Sequence, residues 1–284
     1  MLFDPGSIEA IQDAVPESLI DPFVHITDIG DPLFVVLVVA IVYLFIDNQR
    51  GGFVIGMTFA GYGVTVALKE LMAIPRPPEE LQIISASGYG VPSGHALGTI
   101  ILFGVLAAEL DVGTRSLRYV VATVLVALVS FSRIVLGVHY IEDVVAGLAI
   151  GLVMLLAVYR YEFRNPTALF AVGVVGSTVS MAVSQLGYAN AVVLFGFSIA
   201  GLVAWPLITP LPKPPRRVAI ATGVVTLPIA TVIMPLGPTV YLSTVTVIPF
   251  AVIALLLILV TPLLADRIDR VTSTRRETAG SSTN

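Results

Sequence analysis

Three short clusters hold most of the residues that could do chemistry in this chain. Lys69, Arg76 and Pro77 close one apolar run, Pro92-Ser93-Gly94-His95 opens the next, and Ser132-Arg133, His139 and Asp143 bridge two more. Lys69, Arg76 and Arg133 have no carboxylate motif matched to them. An isolated Lys or Arg at membrane depth costs ~3 kcal/mol on insertion scales, and gathered cations repel one another. A multiply charged anion among them would make the cluster tolerable. Arg offers a fork that fits phosphate oxygens and Lys a point charge. Ser93 and Gly94 fall where a helix should begin, so free N–H groups and the positive dipole end would face the same anion, and Gly94 has no Cβ to obstruct it. Pro92 suits the stiff turn before that helix.

The chain has three histidines, and His95 and His139 both fall in these clusters. His139 and Asp143 are four positions apart at an expected helix start, hence on one face. A carboxylate there can accept from one ring nitrogen and leave the other as a nucleophile, with His95 free to donate and accept a proton. The cations would neutralise charge developing on a phosphoryl group, so no metal or cofactor is expected. Each residue alone also has a plainer reading. Glu142 and Asp143 could favour a helix N-terminus, and the cations could be anchors that snorkel to an interface. His95 could be a satisfied interfacial histidine, the class in which His25 is left. Tyr89 and Tyr140 read as interfacial aromatics.

The elements that must carry these clusters follow from composition. The 284 residues are 56% hydrophobic and 12% charged, with mean hydropathy +0.96. Soluble domains carry about 25% charged residues, so a water-soluble single domain and a disordered chain are both excluded. There is no cysteine, which rules out disulfides and thiolate chemistry. The net charge of −4 and the lack of a basic tract give no sign of nucleic acid.

Uncharged runs predict an all-α, polytopic membrane bundle of about nine transmembrane helices, at 32–46, 51–68, 95–110, 118–136, 140–159, 166–186, 189–209, 217–235 and 239–264. The breaks within the last two pairs are read at Gln185, Gly187 and Asn190, and at Pro235-Leu-Gly-Pro238. The first and third runs are short, so tilt or a polar approach is expected there. Twelve of the fifteen cations face the side of the 47–50 loop, and Lys69, Arg76 and Arg133 face the other. The positive-inside rule then puts the N-terminus outside and the C-terminus inside. Because successive spans alternate direction, all three clusters reach the same non-cytoplasmic face.

Four segments are expected. Residues 1–31, with seven acidic residues and no Lys or Arg, form an interfacial leader. Residues 32–160 form the core with the three clusters, 161–265 add further transmembrane helices, and 266–284 form a polar cytoplasmic tail disordered at its end. Gly52/Gly56 and Gly147/Gly151 have the spacing of close helix contacts.

The chain resembles the lipid phosphate phosphatases, also called type 2 phosphatidic acid phosphatases. The three signatures of that family stand here in order as Lys69…Arg76-Pro77, Pro92-Ser93-Gly94-His95 and Ser132-Arg133…His139…Asp143. Thr27-Asp28-Ile29-Gly30-Asp31 is similar to the short glycine-containing segment that often precedes the family's first span. The resemblance covers about residues 24–160. It implies a phosphoric ester hydrolase in which His139 forms a phosphohistidine, Asp143 orients it, and His95 protonates the leaving oxygen and then activates water. Lys69, Arg76, Ser93, the Gly94 amide and Arg133 would hold the phosphoryl oxygens. The implied partners are a lipid phosphate in the bilayer and the membrane itself; a homo-oligomer is left open. The chain departs from the family's usual six helices by about four that follow the core. The related membrane-bound glucose-6-phosphatases have a similar helix number, so a sugar phosphate also fits. A phosphotransferase using the same site, or a transporter or scaffold that merely binds phosphate, are the other readings.

Overall fold

The computed structural model describes residues 3–184, 189–239 and 247–281. Among them the chain is helical, without strands. α1 (Pro5–Ala14) and α2 (Ile20–Thr27) precede α3 (Pro32–Ile41), which runs on as a π-helical turn, Val42–Ile46. Then follow α4 (Asn48–Met72), α5 (Gly94–Glu109), α6 (Arg115–Val135), α7 (Ile141–Arg160), α8 (Pro166–Val183), α9 (Ala189–Ile208), α10 (Arg216–Thr239) and α11 (Val247–Ser281). The starts are chemically marked. Asp47 accepts from the N–H groups of Gln49 and Arg50, both at 2.9 Å, and Thr114 from that of Leu117 at 3.2 Å, satisfying donors that a helix start leaves open. α4 stops where Ala73 turns left-handed at φ 49°, with prolines at 75, 77 and 78 forbidding its continuation.

Six described helices are long and apolar enough to cross a membrane: α4, α6, α7, α8, α9 and α11. The chain is thus a multi-pass membrane protein. Glu17–Gly30 and Pro32–Ile46 together form a further apolar pair bent by 53°, which accounts for the short first run. α5 is apolar but only 16 residues long, since its first turn belongs to the polar site. Residues 185–188 lie outside the described residues, so the break expected there is bounded only by Val183 and Ala189; Asn190 falls within α9. The expected break at Pro235–Pro238 is displaced, because α10 continues to Thr239. The backbone stays helical through both prolines, although each removes a hydrogen-bond donor from the helix.

The helix of α11 likewise carries on through the polar residues 266–281 rather than ending at Ala265. There Arg270 meets Asp266 one turn away at 2.8 Å. The leader also differs from a helix lying on lipid: Ile8 of α1 is fully buried, and Gln12 donates to the carbonyls of Leu81 and Val135, both at 3.0 Å. Phe23 of α2 packs edge-on to Phe131 of α6 at 5.6 Å. Ile8 is thus covered by protein, Ile11, Val15, Ile20 and Phe23 partly so, while Leu19 stays exposed.

α4 lies at the centre and packs most extensively along α8. The two backbones touch: a Cβ on Gly176 would lie 2.2 Å from the carbonyl oxygen of Gly63. The helices that follow the core therefore buttress α4 directly. At the end of the bundle away from the clusters, the Glu109 carboxylate accepts from Tyr159 Oη at 2.9 Å and Arg164 at 3.2 Å, tying α5 to α7 and to the turn before α8.

The expected glycine contacts are present. Trp205 of α9 lies against Gly52, and Gly147 of α7 lies against the α5 start, where a Cβ would come within 2.6 Å of the Ser93 carbonyl oxygen. That fit sets α7 against the residues that open α5. Gly147→Val is expected to cost about 1–3 kcal/mol by overpacking and to lower activity by displacing Ser93. Thermal unfolding in detergent, alongside a phosphate-release assay, checks both.

Candidate active site

His139 does not sit on a helix with Asp143, as the four-residue spacing suggests. It lies in the turn between α6 and α7, two residues ahead of Ile141. Asp143, in the first turn of α7, reaches back. Its Oδ2 accepts from the Tyr140 N–H at 3.0 Å and meets His139 Nδ1 at 2.9 Å. Both side chains are buried, His139 to 1% and Asp143 to 0% exposure. On the other edge of the ring, Arg76 Nη1 lies 3.0 Å from Nε2. Guanidinium can only donate, so Nε2 presents a lone pair and the proton stands on Nδ1, facing Asp143. That is the tautomer a nitrogen nucleophile requires. A side chain at Gly90 would collide with this pair, since a Cβ there would lie 2.9 Å from Asp143 Oδ2.

The cations converge on the same ring. Lys69, at the last turn of α4, donates to the carbonyls of Tyr89 and Gly90, the latter at 3.1 Å. Arg76 holds the Ser87 and Gly88 carbonyls through Nε at 3.2 and 3.0 Å and the Val138 carbonyl through Nη1 at 2.8 Å. The loop from 73 to 93 is thereby folded over the start of α7, and its conformation depends on the charges it carries. Arg133, near the end of α6, is buried to 5% exposure and donates to Thr27 Oγ1, while its Nε is buried with no hydrogen-bond partner. A buried donor left unsatisfied is costly, and an oxyanion beside it would remove that cost.

Ser93 caps α5, its Oγ accepting from the Ala96 N–H at 3.5 Å, and its own N–H donates to the Asp143 carbonyl at 2.9 Å. The start of α5 is thus bonded directly to the residue that orients His139. Gly94 is the first residue of α5, and the nearest atom to a Cβ there, Thr65 Cγ2, lies at 3.4 Å. Packing does not demand glycine at this position. His95 follows, half-buried, with Nε2 at 2.9 Å from Asp31 Oδ1. All eight expected residues (Lys69, Arg76, Ser93, Gly94, His95, Arg133, His139 and Asp143) therefore belong to one connected cluster.

Two contributors are absent from the eight: Thr27 and Asp31, at the bend between α2 and α3. The available signal was the Thr27–Asp31 segment ahead of the first span, without a residue-level reason to choose these two among its polar groups.

Burial, and then the neighbouring Arg76, Lys69, Arg133 and His95, hold the His139 imidazole well below the usual histidine range. The folded protein therefore resists protonation that an unfolded chain accepts near pH 6.5. Above that pH both states are neutral at this position and stability is full; as pH falls below it, the unfolded chain binds the extra proton and stability is lost. In phosphate-free detergent the thermal midpoint is expected to fall from pH 7.5 to pH 5, and to fall less in His139→Asn.

The fold and this cluster define a helical membrane protein with a buried, cation-lined imidazole whose Nε2 carries a lone pair, an arrangement able to take up a phosphoryl group. Residues 50–167 match the PAP2 superfamily. It is 36% identical over 104 residues to lipid phosphate phosphatase delta of Arabidopsis thaliana, covering 31% of this chain and 25% of the relative. It is 30% identical over 101 residues to phosphatidylglycerophosphatase B of Bacillus subtilis (strain 168), covering 34% and 49%. It is 34% identical over 96 residues to decaprenylphosphoryl-5-phosphoribose phosphatase of Mycobacterium tuberculosis (strain ATCC 25618 / H37Rv), covering 33% and 50%. The aligned stretches thus span between a quarter and half of these relatives' own lengths. No solved structure matches the chain significantly.

Proposed function

We propose that the protein is an integral membrane phosphatase that hydrolyses a phosphate monoester or diphosphate of a lipid through a phosphohistidine on His139. The observation that carries this reading is the His139 ring held between Asp143 at Nδ1 and Arg76 at Nε2. In the first step Nε2 attacks phosphorus while the bond to the leaving oxygen breaks and His95 delivers a proton to that oxygen. Arg76 passes from Nε2 to a phosphoryl oxygen as the lone pair engages. Lys69, Arg133, Ser93 and the Gly94 amide take the remaining charge as donors already fixed in place. In the second step His95 takes a proton from water, the oxygen attacks phosphorus, and the P–N bond breaks to return free His139 and phosphate. Neutralisation by side chains needs no metal ion. A lipid substrate is favoured by a site at the ends of apolar helices and by relatives whose names are those of lipid phosphatases.

In this reading residues 32–160 are the catalytic core, 161–265 the buttressing helices and 266–284 the cytoplasmic tail. The crossings number nine: the six long helices, the bent α2–α3 pair, α5 and α10. The site then faces away from the cytoplasm, with the N-terminus on the same side.

The test is a substrate panel on purified protein in EDTA, using a polyprenyl diphosphate, a phosphatidate and a soluble sugar phosphate. Phosphate release from the lipids, and little from the sugar phosphate, is expected. Release that needs an added divalent ion would overturn the proposed charge neutralisation. Since the chain has no cysteine, Ser85→Cys reports sidedness. Labelling by an impermeant maleimide from outside is expected, and protection there would reverse the orientation.

A further inference from the structure

The bend between α2 and α3 reaches into the site. Asp31 stands at the N-cap position of α3, where a carboxylate ordinarily accepts from its own helix and contributes ~1 kcal/mol. It makes no such bond. Its Oδ1 instead crosses to α5 and meets His95 Nε2 at 2.9 Å. The approach is built, since a Cβ on the preceding Gly30 would lie 2.6 Å from His95 Cδ2 and 2.9 Å from Val129 Cγ1 of α6. Glycine there lets the backbone lie against the imidazole ring. One helical turn earlier, Thr27 Oγ1 takes the hydrogen bond of Arg133. A single bend thus grips His95 on α5 and Arg133 on α6.

We propose that Asp31 is a positioning residue for His95, orienting its ring and balancing the charge of its protonated form. The inference rests on the hydrolase reading above. A proton donor beside this cradle works against its surroundings, because the protonated ring adds a positive charge to a cluster that already holds Arg76 and Arg133. Asp31 is the carboxylate bonded to the ring, and the opposite charge offsets that repulsion. The pairing parallels that of Asp143 with His139, so each imidazole has its own carboxylate: a buried one for the nucleophile, a half-exposed one for the proton donor.

A residue that acts through the proton donor matters in proportion to how much the leaving oxygen needs a proton. The alkoxide of a phosphatidate needs it, and p-nitrophenolate largely does not. The specificity constant kcat/KM reports steps up to release of that group. For Asp31→Asn we expect kcat/KM to fall about a hundredfold on phosphatidate, within the usual range for general acid catalysis, and only about threefold on p-nitrophenyl phosphate. Asp31→Glu should recover part of the phosphatidate activity, and inorganic phosphate should inhibit Asp31→Asn and wild type alike. Equal losses on both esters would make Asp31 a structural residue and overturn the inference, as would no loss on either. A wild-type protein inert towards both esters would remove the hydrolase reading itself, and this inference with it.

Discussion

His139→Ala is expected to lower phosphate release by about four to six orders of magnitude, the scale seen when a nucleophile that works as part of a unit is removed. The size of the effect follows from the site. Nε2 is the lone pair aimed into the cation cluster, and the groups around it (Lys69, Arg76, Arg133) stabilise charge without being able to form the intermediate. Binding should outlast chemistry, so inorganic phosphate should still compete, within about tenfold of its wild-type potency. Rapid quenching of wild type with labelled lipid phosphate should trap label that is stable in alkali and lost in acid, as expected of a phosphorus–nitrogen bond. Activity persisting in the variant, or label surviving acid, would remove His139 from the nucleophile's role.

Asp143→Asn should come second, at about three to four orders of magnitude in kcat, by analogy with the loss of the carboxylate beside a catalytic histidine. Asparagine is nearly isosteric, so packing is little disturbed, but the negative charge is not preserved. Asp143 Oδ2 accepts from both the Tyr140 N–H and His139 Nδ1. An asparagine oxygen in the same place can keep both bonds, with its NH2 group in the place of Oδ1. What is lost is the charge that offsets the positive charge the imidazole gains as Nε2 bonds to phosphorus. Phosphate affinity should change little, while kcat collapses. A matched fall in kcat and affinity would instead indicate that the α7 start had come apart.

The Lys69, Arg76, Ser93-Gly94-His95, Arg133, His139 and Asp143 positions could be found from residue types at fixed spacings, because the chemistry restricts which side chains serve and the apolar runs between them oblige the clusters to one end of the bundle. The four-residue interval between His139 and Asp143 was legible for a different reason than helix periodicity. His139 precedes α7, and the pairing arises because a first-turn carboxylate turns back towards the unsatisfied N–H of Tyr140. The helices themselves were legible from uncharged runs, which mark apolar stretches and not helix ends: α10 continues past the Pro235–Pro238 break, and α11 through polar residues after Ala265.

Other features needed three dimensions. Asp31 and Thr27 lie more than sixty residues from the partners they hold, and nothing in the polarity of the leader sets them apart from its other acids and hydroxyls. The contact of α4 with α8, made through Gly63 and Gly176, is likewise invisible in either helix alone, since glycine is frequent in apolar helices and its use depends on what lies opposite. Composition and motif spacing are properties of short windows, and they carry the membrane architecture and the positions of the candidate site residues. The partners that orient those groups are chosen by packing between distant helices, and a short window holds only one side of each such contact.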